Sequence, residues 1–556
     1  MRRRILSSLL VTCCVLVPTV AAAGTGAAPK PPFSPPSEDA TGVIVSTAGA
    51  VPDDVVRRVS GIVGRGIVGQ SPLGGSRVAL RFDRPLTASS VRSHSAALDA
   101  LPGMSHPSPD LVATSDSVPN DPYFPKQTNL WSSAPPATNY SVDAPTIWDA
   151  TLGSKSVVVA VVDGGIVAHP DLANQTVPGY DLIADYRNAN DGDGRDPNAA
   201  DPGNGSNGTY CSAHPSSWHG SHVAGIIGAI GNNGIGISGI APGVTLQPVR
   251  VVGQCGASIS DIIAGIRWAS GGYVPGVPTN NTPADVINVS LSSTVSDNTC
   301  PQAYQDVVNE ARSRGAVVVV SAGNQGTSFL TRTPANCAGV LSVGATDVDG
   351  SPTSYTNAGT TIGMMAQGGE AGEGQGIWST VDAGTAGPVQ STYGQKAGTS
   401  MAAPSVSAVA GLVFSLGNFT NDQVVQVLKE AAVTPPELDG YYTCISHDGS
   451  GRSVCGAGIL SVTAIPAPVG RPVLVGGTTV GSTVSFTPGR WNGHPDTVTF
   501  QWLRNGSAIT GATGTSYVLT RADLGRTLTV RSTAHTQGYP DFSSSSYAKA
   551  IPKTRR

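Results

Sequence analysis

The sequence predicts an α/β protein. A parallel sheet with helices on both faces, a three-layer arrangement, follows a small α+β segment and precedes a small all-β sandwich. Three observations carry this. Apolar runs ending in turn residues recur at 157–162, 245–252, 286–291, 317–321 and 340–345. Such runs mark strands buried on both faces. Helical stretches at 222–230, 260–269 and 304–314 lie between them, and strand–helix alternation builds parallel sheets. Finally, 480–486, 497–503, 517–519 and 527–532 are short alternating stretches separated by turn residues, the pattern of a β-sandwich.

A chain of 556 residues holds two to four domains. Arg2, Arg3 and Arg4, the apolar run 5–17 and Ala21-Ala22-Ala23 read as a secretory signal over 1–23. Residues 29–36 are proline-rich. The segment to about residue 101 alternates β-α-β-α, with strands at 43–47 and 77–83 and helices at 53–62 and 87–101. Residues 102–122 are rich in Pro, Ser and Asp and read as a linker. A helix at 144–151 opens the main domain, which closes near Gly456-Ala457-Gly458-Ile459-Leu460. Residues 466–472 read as a second linker. In the C-terminal segment Trp491, Trp502 and Tyr517 fall in or beside predicted strands and read as core.

Charged residues make up 13% and the formal net charge is −4, with no lysine/arginine cluster between residues 1–4 and the terminal Lys553, Arg555 and Arg556. No basic field for nucleic acid is present. No apolar stretch after the signal is long and uninterrupted enough to span a membrane. Of eight cysteines, Cys13 and Cys14 lie in the signal. The other six, Cys211, Cys255, Cys300, Cys337, Cys444 and Cys455, are an even number in an exported chain and point to disulfides. Six cysteines allow fifteen connectivities; the sequential pairing 211–255, 300–337 and 444–455 is the expectation adopted.

The chemistry concentrates at three places. Asp163 follows a buried strand in Val161-Val162-Asp163-Gly164-Gly165. His219 stands where a turn enters a helix, in His219-Gly220-Ser221-His222-Val223-Ala224-Gly225. Ser400 lies in Gly398-Thr399-Ser400-Met401-Ala402-Ala403-Pro404, ahead of the apolar run 406–416. That run reads as a buried helix with Ser400 and Pro404 in its first turn, near unpaired N–H groups that could stabilise an oxyanion. Each signal has a plainer structural reading: a cap, a polar turn, a helix N-cap. Asp163, Ser290 and Asn324 all fall at carboxyl ends of strands, where parallel sheets bind ligands.

Together the three segments, in the order Asp, His, Ser, resemble the signatures of the subtilisin-like serine peptidases, a family in which this triad order is known. The resemblance covers about residues 120–465. It implies a secreted endopeptidase working through an acyl-enzyme. Ser400 is then the nucleophile, His219 the general base and Asp163 its orienting partner. Asn324, in Ser321-Ala322-Gly323-Asn324, resembles the family's oxyanion asparagine. Ser290, Leu291 and Ser292 resemble the substrate-binding edge strand, with Ser292 where the family usually has glycine. Protein and peptide substrates are the implied partners.

The resemblance also implies structural Ca²⁺. Asn233 would give a side-chain oxygen, Ile235 and Ile237 their carbonyls, and Asp121 and Asp171 their carboxylates. Mixed hard oxygen donors suit this ion. Asp191, Asp193, Asp196 and Asp201 form a second acidic loop that lacks the glutamate ending an EF-hand; it reads equally as a solvated loop. Residues 24–117 match a propeptide that assists folding and inhibits the site. The implied domains are 1–23 signal peptide, 24–117 propeptide, 118–465 catalytic domain, and 466–556 linker plus immunoglobulin-like sandwich, in a secreted monomer with no membrane contact after signal removal. A non-catalytic adhesion protein keeping this fold is the alternative, and the intact Asp163, His219, Asn324 and Ser400 set argues against it. An α/β-hydrolase esterase is excluded by order and by the absence of GxSxG around Ser400.

Overall fold

A computed structural model describes residues 39–47, 49–74, 76–111, 119–131, 140–293, 299–326, 332–372, 374–436, 444 and 455–553. The signal segment 1–23, the proline-rich 29–36 and the stretch 112–118 fall outside the described residues. Two compact units divide the chain, 1–114 and 115–556.

The first unit runs β1 (Asp39–Ser46), α1 (Asp53–Val63), β2 (Ile67–Gly74), β3 (Arg77–Thr87), α2 (Ala88–Ser93), α3 (Ser95–Asp99) and β4 (Ser105–Leu111). Its sheet is antiparallel in the order β2-β3-β1-β4. Val43, Val45, Val55, Val59, Leu80 and Leu98 form its core. Asp53 and Asp54 favour the start of α1 through the helix dipole, and Gly64 ends it in the left-handed conformation. The expected β-α-β-α pattern is incomplete. β2 and β4 are not legible in the sequence because Gly and Pro interrupt them; β4 carries Pro107 and Pro109 and is an edge strand, where a missing N–H is tolerated. The single helix expected over 87–101 is two short ones.

The second unit is built on a seven-stranded sheet. Its elements are α4 (Pro145–Trp148), β5 (Val158–Asp163), β6 (Tyr180–Asp181), α5 (Tyr186–Ala189), α6 (His219–Gly228), β7 (Thr245–Arg250), α7 (Ile259–Ala269), β8 (Val286–Val289), α8 (Gln302–Ser313), β9 (Val317–Ser321), β10 (Leu341–Thr346), β11 (Met364–Gln367), β12 (Ile377–Asp382), β13 (Ser391–Lys396), α9 (Thr399–Leu416) and α10 (Asn421–Glu430). The sheet is parallel throughout, ordered β11-β10-β9-β8-β5-β7-β6. β5 is first in sequence, yet it lies between β7 and β8. The strand order therefore reverses beside it, and such a switch point opens a crevice at the carboxyl ends. Asp163 ends β5 and Ser290 follows β8, so both flank that crevice. β12 and β13 form a separate antiparallel hairpin.

Strands β5, β7, β8 and β9 are buried at every position, as two covered faces require. Helix α9 is buried from Met401 to Val413. By length and composition alone it could cross a membrane, contrary to the sequence expectation, but 78% of it is buried inside the protein. Pro404 lies beyond the first turn of α9. Lacking an N–H, it cannot donate to the carbonyl of Ser400, four residues back. Ser290 Oγ donates to that carbonyl instead, at 3.0 Å. The three disulfides join Cys211–Cys255, Cys300–Cys337 and Cys444–Cys455.

The C-terminal part holds two antiparallel sheets. One contains β14 (Val473–Gly476), β15 (Thr483–Thr487) and β18 (Ser516–Val518). The other contains β16 (Thr497–Arg504), β17 (Ser507–Ala508), β19 (Thr527–His535), β20 (Phe542–Ser545) and β21 (Lys549–Ala550). Val484, Phe486, Trp502, Leu528 and Val530 fill the space between them, with Tyr517 packed at its margin. This module rests on the helices of the same unit: Phe419 packs on Phe542 with ring centroids 5.1 Å apart, and Gln426 Nε2 donates to Gly538 O at 2.6 Å. Both contacts lie just past the C-terminal end of α9 or on α10. The 18 residues of α9 span about 27 Å, with Ser400 at the other end.

Candidate active site

Asp163 is fully buried where β5 ends, and Gly164 N–H donates to its Oδ1 at 2.8 Å. His219 opens α6, with its Nδ1 2.8 and 2.9 Å from the two Asp163 oxygens. A carboxylate only accepts, so Nδ1 carries the proton and Nε2 is left as the basic nitrogen of the neutral ring. His219 is about a quarter exposed, at 26% of its side chain, whereas Asp163 is sealed from water. The approach of α6 needs Gly220: a Cβ there would stand 2.3 Å from Gly165 O and 3.2 Å from Asp163 Oδ1. Trp218, just before the helix, has φ 52°, a strained conformation for a bulky residue. Its buried indole donates to Gly384 O at 2.7 Å and helps hold it there.

Ser400 stands in the first turn of α9, which packs on α6. Its Oγ donates to Ser290 O at 3.1 Å; among the described residues no hydrogen bond joins it to His219. Such bonds tighten when substrate arrives, so this rotamer does not remove Ser400 from reach. Asn324, past the end of β9, accepts from Thr399 N–H at 2.9 Å and from Thr399 Oγ1 at 2.8 Å. Those donors fix its oxygen, and the amide nitrogen is presented beside Gly398, 3.2 Å from where a Cβ would be.

The three edge residues divide. Ser290 is buried and structural: it accepts from Asn288 Nδ2 at 2.9 Å and braces α9 from both its hydroxyl and its carbonyl. Leu291 is half-buried and Ser292 exposed. His222 turns away from Asp163. It is fully buried and bonded through Nε2 to Ile377 O at 3.0 Å and Gly394 O at 3.2 Å, and burial pushes its imidazole down to about 3. Ser379 Oγ and Thr380 Oγ1 of β12 donate to the carbonyls of His222 and Ser221 at 2.6 and 2.7 Å. Nothing in the sequence marks these two hydroxyls, Thr399 or Trp218: each acts through a backbone contact that spacing does not reveal.

Asp121, Asp171, Asn233, Ile235 and Ile237 come together around one loop. Asp121 accepts from Asn232 N–H at 2.7 Å and Asn233 N–H at 3.1 Å; Asp171 accepts from Asn233 Nδ2 at 2.8 Å and Ile237 N–H at 3.0 Å. Asn233 Oδ1 caps Ile235 N–H at 2.9 Å. Burial holds the Asp121 carboxyl above its usual range, and the nearby Asp171 charge adds to this. A carboxyl raised by burial and by a neighbouring carboxylate, with an amide and loop carbonyls at hand, belongs to a donor set that fits a hard cation. In the acidic loop, Asp191, Asp193 and Asp196 bring carboxylate oxygens within 4.8 Å of one another. Asp201 does not join them. It is buried with its oxygens at Gly203 N–H and beside Gly164, and burial raises it to about 7. Proximity along the chain groups it with the loop; the return of the chain toward Asp163 separates it. Asp191 also pairs with the buried Arg250 at 2.5 Å, and Arg250 pairs with Asp181.

A parallel sheet with an Asp–His pair and a helix-borne serine at its switch point is the arrangement of the subtilisin-like class. The Subtilase family profile (Peptidase S8) matches residues 154–453, and the chain belongs to that family. An extracellular basic protease of Dichelobacter nodosus is 40% identical over 365 residues, 64% of this chain and 57% of that protein. An extracellular protease of Xanthomonas campestris pv. campestris is 39% identical over 391 residues, 69% of this chain and 63% of that one. The chain thus matches under two thirds of each relative's length. A solved protease structure from Pseudoalteromonas arctica is 40% identical, with a TM-score of 0.56 over 62% of this chain and 97% of that chain.

Proposed function

We propose that this chain is a secreted serine endopeptidase that cleaves extracellular proteins through an acyl-enzyme. The observation that carries the reading is the position of His219 Nδ1, 2.8 and 2.9 Å from the two Asp163 oxygens. A proton held there leaves Nε2 free to take a proton from Ser400 Oγ. The Ser400 oxygen then attacks the scissile carbonyl. Asn324 Nδ2 and the Ser400 backbone N–H stabilise the tetrahedral oxyanion. On collapse the C–N bond breaks, and the imidazolium, steadied by Asp163, returns its proton to the leaving amine. Water repeats the sequence to release the acid and regenerate Ser400.

Residues 24–117 act in this reading as a propeptide, removed after folding, and 1–23 as the export signal. A structural Ca²⁺ would be held by Asp121, Asp171, Asn233 and the carbonyls of Ile235 and Ile237; its contribution is charge compensation and loop order, not chemistry. Asp191, Asp193 and Asp196 are a second place for one.

Ser400→Ala is the test. The variant is expected to fold, to leave casein intact, to resist labelling by a serine-reactive phosphonate, and to keep its N-terminal segment. Full self-processing in that variant refutes the assignment.

A further inference from the structure

One charged side chain next to the triad makes no ion pair among the described residues. Lys396 ends β13, four residues before Ser400. It is half-buried, and among the described residues its side chain makes no hydrogen bond or ion pair. Its direction follows from the hairpin register. Gln395 pairs with Trp378 and lines a cavity with it. Lys396 pairs with the buried Ile377 and stands on the opposite face of the hairpin. Ile377 and Ser379 share that face, and Ser379 is the residue bonded to α6. Lys396 therefore extends on the α6 side, toward the helix that begins with His219. Its charge acts on both Asp163 and His222. Burial also pulls its ammonium below the ordinary lysine range.

The anion that acts on it, Asp163, is engaged by His219 and makes no direct contact with it; a partly desolvated ammonium left without a bonded partner is costly, and a ligand carboxylate would relieve it. Which part of a substrate meets it follows from the flanks of Ser400. Ser290 and Asn324 hold one flank. His219 holds the other, and the group that returns a proton to the leaving amine stands on the leaving-group side. Lys396 belongs to this second flank. The other carboxylate acting near Asp163, Asp201, is buried beside Gly164, so Lys396 is the cation that an incoming acidic group would meet.

Resting on the peptidase reading above, we propose that Lys396 is a specificity-determining residue, which selects peptides carrying Asp or Glu just after the scissile bond. The test uses purified full-length enzyme and three quenched peptides identical but for Glu, Gln or Lys immediately after the cleaved bond. Active enzyme is counted by phosphonate labelling of Ser400. Wild type is expected to favour Glu over Gln by roughly tenfold in kcat/KM, the scale of one charge-assisted hydrogen bond. The preference should fall toward one in K396Q and turn to the Lys peptide in K396E. It should also shrink as salt rises, as an accessible ion pair does. An unchanged Glu preference in K396Q overturns the proposal. So does an equal loss on all three peptides, which would make Lys396 an electrostatic tuner of the triad. Cleavage of all three without preference sinks this inference alone; failure of wild type to cleave any peptide or to label Ser400 sinks the peptidase reading with it.

Discussion

Ser290→Ala should loosen the nucleophile without touching it. Ser290 Oγ is the donor that meets the Ser400 carbonyl, because Pro404 cannot. Removing the hydroxyl leaves that carbonyl and Asn288 Nδ2 short of a partner in a buried place. An unsatisfied buried polar group costs about 1–3 kcal/mol, and a shift of the first turn of α9 would lower kcat by up to roughly 10²-fold. Pro404→Ala supplies the missing N–H. A cycle of S290A, P404A and the double variant, followed by urea unfolding and by kcat, should show coupling: the double variant recovers about 1 kcal/mol, one hydrogen bond's worth, while the Asn288 share stays lost. Strictly additive effects, or an S290A as stable as wild type, would refute the claim that Ser290 replaces a helix donor.

Further outcomes follow from the same geometry. Asn324→Ala should keep the fold and reduce kcat by about 10²–10³, a magnitude taken from a subtilisin and not from this chain; a small change would take Asn324 out of the oxyanion site. His222 is neutral when folded, with its value lowered to about 3, against about 6.5 when unfolded. Its contribution to stability is thus complete above pH 6.5 and lost as pH falls toward 3. His222→Gln should flatten the wild-type stability slope in that window by up to about 1.4 kcal/mol per pH unit, read as the difference between the two urea-unfolding profiles. A chelator should lower the melting temperature of wild type in matched buffer, and Asp171→Asn should make that drop smaller. Replacing Cys211 and Cys255 by serine opens a 44-residue separation and should cost roughly 3–4 kcal/mol in the chain-entropy account, measured by urea unfolding.

The sheet of the second unit is legible in the sequence because its strands are buried on both faces and read as unbroken runs of Val and Ala. The residues of the site are legible because Asp163, His219 and Ser400 each sit in a short segment of small residues, glycine around the first two and glycine with alanine around Ser400, next to an apolar run. β12 and β13 are not. Their residues are largely Ser, Thr, Gly, Gln and Lys, and they are held by the Ser379 and Thr380 hydroxyls donating to α6 carbonyls and by His222, contacts between parts of the chain about 155 residues apart. Neither strand shows a period that a window of sequence can detect. Pro404 reads one turn too early for a related reason: the donor that compensates for it, Ser290, comes from another strand.

The β-module holds α9 and α10 at the end remote from Ser400, about 27 Å along the helix. A surface that grips the chain by its C-terminal module would therefore hold it by the heel. Fixed to a bead or a cell wall through that end, the molecule is held about 27 Å along α9 from Ser400, and a cargo fused after residue 553 is attached to the module that makes that hold.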